Sequence, residues 1–398
     1  MSSATTPLAR AETTQILVAG AGPVGLFAGL CAARRGLDVT LVEQNFRGYS
    51  HGYASVLHPS SLRLFAELGL SEDLLSAGHI VDHIDLHLDG ASAHRLEFSL
   101  PALTVAQTVL EEVLLKALRA EGVEIKLPCQ VTTVEHGKDG VQVRVLRREL
   151  ATGGSPEQDT EWQPVESSVI HADFVIGADG YESRMREALG VEVVNAGATE
   201  TFAMFEAPDT GAGAALAFSS ALGSAVFPLA KQRARYGFQL ASHFDESPGI
   251  GELRGLLSER MPWRGSPPDA LDWGIITHFE RRLARRFGRG RIWLAGDAAH
   301  ITSPLGGQSM NGGLIEAHDL VEQMAHCIAG SRPLEALEQV GTAREREWHK
   351  LLGFNVSFDT QPYAPAWLLK HARRIVPALP ASGNDLQYLL QQIGLVIR

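Results

Sequence analysis

Two hydrophobic patterns alternate along much of the chain. Apolar runs that are too short for helices predict buried strands at 15–19, 38–42, 123–127, 174–176 and 292–294. Apolar positions spaced three and four residues apart predict helices over 24–35, 60–68, 109–120 and 313–328. Strands and helices that alternate in this order are typical of an α/β fold whose parallel sheet is covered by helices.

The pattern changes between residues 191 and 277. Short β-prone segments separated by glycine and proline predict strands at 201–206, 214–218, 225–229 and 236–241. Residues 80–98 are expected to add strands to the same sheet. A hairpin is predicted over 131–145 and an exposed loop over 151–163. The C-terminal part is predicted to be helical, with breaks at Pro362, Pro365, Pro377 and Pro380.

These patterns predict three structural regions. A discontinuous α/β domain is formed by 14–79, 103–190 and 285–355. A sheet domain formed by 80–102 and 191–284 is inserted into it. Residues 356–398 form a C-terminal helical region, in which 366–379 is either a packed helix or a helix that lies on a membrane surface.

Composition narrows the class of protein. The chain has 398 residues, 45% hydrophobic and 20% charged, which is typical of a soluble globular protein. A net charge of -11 disfavours nucleic acid as a partner. The basic segment 280–286 is either a solvated face or a site that attracts an anionic cofactor.

The run 16–33 contains glycines and a proline where a phosphate-binding turn needs them, so we expect neither a signal sequence nor a membrane span.

The cysteines indicate a compartment. Cys31, Cys129 and Cys327 are isolated in the sequence and lack metal-ligand spacing, so no metal site is predicted. Unpaired cysteines are typical of a reducing environment. We therefore expect a cytoplasmic protein. We also expect a monomer or homodimer without a nucleic acid or membrane partner.

A nucleotide-binding fingerprint follows the first predicted strand. In Gly-Ala-Gly-Pro-Val-Gly at 20–25, Gly20 permits a tight turn, Gly22 lets the backbone approach a pyrophosphate, and Gly25 allows the helix to pack closely. Glu43 ends the second strand about 20 residues later, where an acid accepts ribose hydroxyls. A carboxylate there favours FAD or NAD over NADP. A second complete fingerprint is absent from the sequence, so one permanent dinucleotide site is predicted.

Two further glycine motifs follow buried strands. The first is Gly-Ala-Asp-Gly at 177–180, with Ser183 and Arg184 downstream. The second is Gly296-Asp297, followed by the loop 304–312. In this order the three motifs resemble those of the single-component flavin-dependent aromatic monooxygenases, the family of para-hydroxybenzoate hydroxylase, over residues 14–350.

The resemblance implies a Rossmann-type FAD-binding domain with an inserted β-sheet domain for substrate. It implies bound FAD, a transient NADH or NADPH, and O2. Oxygen is then inserted into a small aromatic substrate through a flavin hydroperoxide. An FAD-dependent epoxidase and a flavin-dependent ligand-holding protein without turnover remain alternatives.

The resemblance also assigns residues. Cofactor contacts are implied for Gly20, Gly22, Gly25, Glu43, Gln107, Asp179, Gly180, Arg184, Gly296, Asp297, Gly306, Gly307, Met310 and Asn311. Arg235 and Pro304 are expected to act beside the flavin. Phe205, Phe218 and Phe227 lie on the inserted sheet and are expected either to line the substrate pocket or to belong to the core.

Several positions carry open questions of chemistry. Tyr53, Ser309 and Glu316 depart from the family pattern. His243 and Tyr236 are candidates to assist deprotonation of a phenol, whereas His300 is expected to be structural. Because Arg235 alone is placed for a substrate carboxylate, the sequence favours an uncharged ring.

Overall fold

The computed structural model describes residues 12–45, 56–88, 93–137, 139–150, 162–209, 213–219, 222–241, 247–354 and 356–398. Within these ranges no helix is long and apolar enough to cross a membrane. The same ranges contain no cluster of three histidine, cysteine or acidic side chains arranged to hold a metal ion.

The helices include all four that the hydrophobic spacing predicts. They are α1 Pro23–Ala33, α2 Pro59–Glu67, α3 Ser71–Ala77, α4 Gln107–Ala120, α5 Arg184–Ala188, α6 Ile250–Arg260, α7 Gln308–Ile328, α8 Glu335–Leu352, α9 Ala366–Ala378 and α10 Gly383–Gln392. Pro377 does not break its helix as expected but lies in the last turn of α9, next to the residue that ends it.

One mixed sheet forms the first domain. Its strands are β1 Glu12–Ala19, β2 Val39–Val42, β6 Glu124–Lys126, β7 Cys129–His136, β8 Val141–Leu150, β9 Trp162–Gly177, β17 Gly288–Arg289 and β18 Ile292–Leu294. The order is β17-β18-β9-β1-β2-β6, and the antiparallel pair β7 and β8 joins at β9. The fold is therefore of the predicted α/β, Rossmann type.

A second sheet combines two distant parts of the chain. Its strands are β3 Val56–Leu57, β4 His79–Leu88, β5 His94–Thr104, β11 Glu200–Pro208, β12 Ala215–Ser219, β13 Leu222–Leu229, β14 Arg233–Leu240 and β15 Trp273–Phe279. The order is β15-β11-β14-β13-β12-β4-β5-β3, with β12 parallel to β4. The exact domain boundaries stay predictions.

Short strands complete the structure. They are β10 Val193–Asn195, β16 Arg282–Ala284 and β19 His300–Ile301 in one small sheet, and β20 Phe358–Thr360 with β21 Leu395–Ile397 in another. The C-terminal region is thus not purely helical, because the β-branched and apolar residues at its end pair with 358–360.

The register of the parallel strands aligns their carboxyl ends. Ala19 of β1 pairs with Val42 of β2 and with Gly177 of β9, and Gly177 pairs with Leu294 of β18. The segments that follow these strands contain all three glycine motifs and Glu43. They therefore emerge side by side at one edge of the sheet, where open α/β sheets bind ligands.

The second sheet buries both of its faces. One face carries Phe202, Phe218 and Phe227 and packs against Leu305, α9 and α10. The other carries Phe205 and packs against α6. Because side chains alternate along a strand, the sheet separates Phe205 from Phe218 and Phe227.

A buried histidine fastens the C-terminal region to the loop before α7. The Nε2–H of His58 donates to the carbonyl of Gly306 at 2.8 Å, so its Nδ1 accepts from the hydroxyl of Ser382 at 2.6 Å. The side chain amide of Gln308 donates to the carbonyls of Leu379 and Ala381 at 2.6 and 2.9 Å. The loop and the end of α9 therefore form one connected unit.

This contact predicts a loss of stability in mild acid. Complete burial lowers the pKa of His58 to about 4, so the unfolded chain binds the proton more tightly than the fold does. Stability from this group is complete above the unfolded pKa of 6.5 and declines as the pH falls towards 4. Between pH 7 and pH 5, the free energy of urea unfolding should fall by about 2 kcal/mol more in the parent than in His58→Gln. Equal pH slopes in the two proteins would show that His58 titrates normally.

Candidate active site

The three glycine motifs pack closely against one another. A Cβ added to Gly20 would lie 2.2 Å from the carbonyl oxygen of Ala178, which is in the second motif. A Cβ added to Gly296 would lie 3.1 Å from Val24 in the first motif. Side chains at either glycine would push the motifs apart, so the residues that the sequence separates form one site.

The first motif leaves the start of α1 open. A Cβ on Gly25 would lie 2.0 Å from the carbonyl oxygen of Gly20, whereas a Cβ on Gly22 would meet nothing within 4 Å. Gly22 is the N-cap of α1, and it provides no side-chain cap for the first amide groups of this helix. Uncapped N–H groups beside an open glycine fit the pyrophosphate of FAD.

Acidic and amide side chains meet beside this turn. The two carboxylate oxygens of Glu43 accept from the backbone N–H groups of Ala21 and Asn45, each at 2.7 Å. Gln107, the first residue of α4, donates to Glu111 at 2.9 Å. Burial raises the pKa of Glu111, and the negative charge of Glu43 raises it further. These acceptors are of the kind that binds sugar hydroxyls.

The second motif is built around an internally satisfied carboxylate. Asp179 accepts from the Ser183 hydroxyl at 2.5 Å and from the N–H of Met185 at 3.0 Å. Gly180 has φ +78°, and a Cβ there would meet nothing within 4 Å. Arg184 is exposed and pairs with Glu187 at 2.9 Å. Its contact with a phosphate stays a prediction.

Sequence reasoning missed the arginine that joins the second and third motifs. The buried Arg186 donates to the carbonyl of Ala298 through Nη1 and to that of Tyr181 through Nη2, both at 2.9 Å. It lies two residues beyond Arg184, and the sequence contains no signal that distinguishes the two side chains. The choice is made by α5, which directs Arg186 inward.

The third motif is fixed by a buried carboxylate. Glu316 accepts from the N–H of Gly296 at 3.0 Å, from His300 Nε2 at 2.8 Å and from the indole of Trp348 at 2.7 Å. His300 stacks on Trp348 with ring centroids 3.6 Å apart. Asp297 is accessible to solvent yet densely surrounded by protein, which raises the pKa of its carboxyl. The departure at Glu316 therefore supports the turn that presents Asp297.

The loop before α7 is held from several directions. Gly307 adopts φ +63° as the N-cap of α7 and leaves the start of this helix without a side-chain cap. The amide of Asn311 donates to the carbonyls of Val56 and Gly307 at 2.9 and 2.8 Å. The Ser309 hydroxyl accepts from the N–H of Thr302 at 3.2 Å. The helix start near Met310 thus combines backbone N–H groups that the N-cap residue does not cap with a positive dipole end, which fits a polar ring edge.

The same loop lies directly on the second sheet. Pro304 begins a turn that ends at Gly306, and Leu305 between them lies over two glycines. A Cβ on Gly223 would come within 2.7 Å of Leu305, and one on Gly237 within 3.1 Å. These glycines form a depression that receives the loop, so the predicted flavin side and substrate side are in contact.

Arg235 lies on this face of the sheet. It pairs across the strands with Phe227 and Glu206. Its Nη2 donates to Glu206 at 2.6 Å, and its guanidinium lies 4.8 Å from the centroid of the Trp273 ring. Arg235 is 4% exposed, so it is not the solvated strand residue that its charge alone would suggest.

Other predicted residues lie apart from the site. Phe205 contacts Phe238 on the opposite face of the sheet, with ring centroids 6.2 Å apart. Tyr236 is on that face too, where its hydroxyl donates to Asp209 at 2.7 Å. Tyr53 and His243 lie outside the described residues.

Comparisons with known proteins agree with this geometry. A family model described as an FAD binding domain matches residues 13–354. The chain belongs to this family of flavin-dependent aromatic monooxygenases. The family assignment supports FAD as the cofactor of this chain.

Two relatives and one solved structure show the extent of the similarity. The 6-methylpretetramide 4-monooxygenase of Streptomyces rimosus is 28% identical over 358 residues, covering 84% of this chain and 59% of that protein. An uncharacterized aromatic compound monooxygenase, YhjG, of Bacillus subtilis is 27% identical over 398 residues, covering 96% and 75%. The p-nitrophenol 4-monooxygenase of Pseudomonas putida DLL-E4 shares the fold, with a TM-score of 0.70, 22% identity and coverage of 85% and 86%.

Two glycines in the first motif should respond differently to alanine. Gly22→Ala adds a methyl group to open space, so we expect unfolding free energy to fall by less than about 1 kcal/mol and FAD affinity to fall more than about tenfold. Gly25→Ala forces a backbone clash and should lower the unfolding free energy of the FAD-free protein by about 1–3 kcal/mol. Urea unfolding and FAD titration check both. Unimpaired FAD binding by Gly22→Ala would contradict the proposed placement of the pyrophosphate.

Loss of the Glu43 carboxylate should weaken FAD binding. We expect Glu43→Ala to reduce the binding free energy by about 1–3 kcal/mol, since a charge-assisted hydrogen bond is lost. Glu43→Gln keeps an acceptor and should retain part of the affinity, which separates this effect from damage to the turn at Ala21. FAD affinity is measured by fluorescence titration. If both variants bind FAD as tightly as the parent, the ribose lies elsewhere.

Proposed function

We propose that the chain is an FAD- and NAD(P)H-dependent monooxygenase. It inserts one oxygen atom from O2 into an electron-rich aromatic or heteroaromatic substrate. One observation carries the proposal. The three motifs meet at one edge of the first sheet, and the loop between the third motif and α7 lies on the second sheet. The aromatic monooxygenases among the relatives support the same reaction class.

This chain's residues would hold FAD along that edge. The free N–H groups after Gly22 would bind the pyrophosphate, and Glu43 and Asp297 would accept from sugar hydroxyls. The open start of α7 would bind the polar edge of the flavin ring. Bound FAD supplies electron transfer from a nicotinamide and activation of O2. The protein orients the partners and excludes water.

The sequence contains one complete dinucleotide fingerprint, at Gly20–Gly25. FAD takes this site, so NADH or NADPH must bind transiently and leave after hydride transfer. Which of the two serves depends on contacts outside the fingerprint.

Arg235 and the loop at Pro304 would act beside the flavin. The guanidinium of Arg235 is held by Glu206 and lies among buried side chains of the second sheet. Glu206 neutralises much of this charge, so the effect of Arg235 would come from the directed N–H groups of its planar guanidinium. A flavin ring that comes close to this face would meet these donors, and Arg235 would thereby influence how fast the flavin accepts hydride.

The test measures turnover with a matched control. The parent should oxidise NADH or NADPH slowly alone and faster with a cognate aromatic compound, which gains one oxygen atom by mass spectrometry. Arg235→Lys should slow flavin reduction about tenfold or more, because the planar fork on Glu206 is lost, with little change in FAD affinity. The control is Arg260→Lys, which changes a buried arginine on α6. In this variant the flavin should be reduced at the parental rate.

Other outcomes discriminate the alternatives. An epoxide product would assign an epoxidase. Bound FAD with no nicotinamide oxidation for any aromatic compound would favour a ligand-holding protein.

A further inference from the structure

Helix α8 packs on the first domain through two contacts between an indole ring and a glycine. A Cβ added to Gly341 of α8 would lie 2.5 Å from the ring of Trp293, in the strand that leads into the third motif. A Cβ added to Gly312, near the start of α7, would lie 2.6 Å from the ring of Trp348 of α8. The two rings therefore fix α8 against the strand before the third motif and against the helix after it.

Trp348 makes two contacts besides the one with Gly312. It is 4% exposed, its ring stacks on His300 with centroids 3.6 Å apart, and its Nε1–H donates to Glu316 at 2.7 Å. His300 follows the third motif closely in the chain, whereas Gly312 and Glu316 belong to α7. One buried side chain of α8 thus contacts both the segment after the third motif and the helix that would face the flavin.

Another side of the start of α7 faces the first and third motifs. Gly313 follows Gly312 directly in this helix. A Cβ added to Gly313 would lie 2.8 Å from Cα of Gly296 and 2.6 Å from the side chain of Val24. The start of α7 is therefore packed between the Trp348 ring and two glycine motifs. Because close-packed interiors transmit small displacements, a change at Trp348 should shift α7 relative to these motifs.

The carboxylate of Glu316 links Trp348 to the turn of the third motif. Its Oε2 accepts from the N–H of Gly296 at 3.0 Å, whereas its Oε1 accepts from the indole of Trp348. His300 Nε2 lies 2.7 and 2.8 Å from the two oxygens. A carboxylate that is 1% exposed depends on such donors, because water does not replace them. Loss of the indole N–H should therefore disturb the turn that presents Asp297.

We propose that Trp348 is a positioning residue for FAD. Through Glu316 it sets the turn at Gly296 and Asp297, where a sugar hydroxyl of FAD would bind. Through Gly312 it sets the start of α7, where the polar edge of the flavin ring would bind. This assignment rests on the placement of FAD in the proposed function, and it adds α8 to the structures on which cofactor binding depends.

The experiment compares two buried tryptophans that each donate one hydrogen bond. Trp348→Phe keeps an aromatic ring beside His300 and Gly312 but removes the donor to Glu316. The control is Trp293→Phe, which removes an indole donor to the carbonyl of Gly290 at 2.9 Å from a side chain that is 1% exposed. Both variants should lose stability in urea, because each loses one buried hydrogen bond. Only Trp348→Phe should weaken FAD binding, by about tenfold in a fluorescence titration.

A second measurement reports on the flavin ring itself. The start of α7 would stabilise the reduced, anionic flavin through its dipole. The reduction potential of bound FAD, measured at saturating FAD, should therefore become more negative in Trp348→Phe and stay at the parental value in Trp293→Phe. A side chain that only fills the core would change neither this potential nor the FAD affinity.

The route through Glu316 has its own test. Glu316→Asp is shorter by one methylene group and cannot reach both Gly296 and Trp348, so it should also weaken FAD binding. Because Glu316→Asp and Trp348→Phe break the same bond, the double variant should lose less FAD affinity than the two single losses combined. Glu316→Asp also tests the same link if Trp348→Phe does not fold.

Three outcomes would overturn the proposal. The first is parental FAD affinity and potential in a folded Trp348→Phe, or in Glu316→Asp if Trp348→Phe does not fold. The second is an equal loss of FAD affinity in Trp348→Phe and Trp293→Phe, which would indicate general loosening of the domain. The third is full additivity in the double variant, which would remove Glu316 from the route. None of these measurements requires turnover. A parent that binds FAD but never oxidises a nicotinamide would refute the proposed function and leave the role of Trp348 standing.

Discussion

The close approach of three chain segments at one edge of the first sheet is the constraint on which the site depends. Gly20 lies against Ala178, Gly25 against Gly20, and Gly296 against Val24, at distances that exclude a Cβ or compress it. These contacts require the three parallel strands to end in register. A shift of one strand by a residue would separate the motifs, so sheet register and cofactor site are a single structural feature.

The C-terminal region contributes to the site as well as to the core. Residues at the end of α9 accept the amide of Gln308, and Ser382 is bonded to His58, which also holds Gly306. The loop at Pro304–Gly306 is therefore placed by packing on two sides, against Gly223 and Gly237 below and α9 above. A loop held in this way has few conformations to lose when a ligand binds.

Much of the fold was predictable because local patterns carry it. Short apolar runs and helical spacing identify strands and helices of the first domain. Most of these elements begin and end within about five residues of the predictions, but β9 begins at Trp162, 12 residues before the predicted strand. The inserted sheet was predicted from its short β-prone segments separated by glycine and proline, but α6 and the pairing of β20 with β21 were not predicted. The apolar residues of α6 do have helical spacing, but Gly251 and Gly255 lower its helix propensity. β20 and β21 have only three residues each, which is too short for a periodic signal.

The sequence by itself determined the fold class, the motifs and the family, because backbone demands on glycine and the chemistry of Glu43 and Asp297 are local. Only the tertiary structure decided which side chains face the site. It turned Arg186 inward rather than Arg184, placed Phe205 on the far face, and brought Trp348 to Glu316. Such choices depend on strand alternation and on contacts between segments far apart in the chain, which no local pattern records.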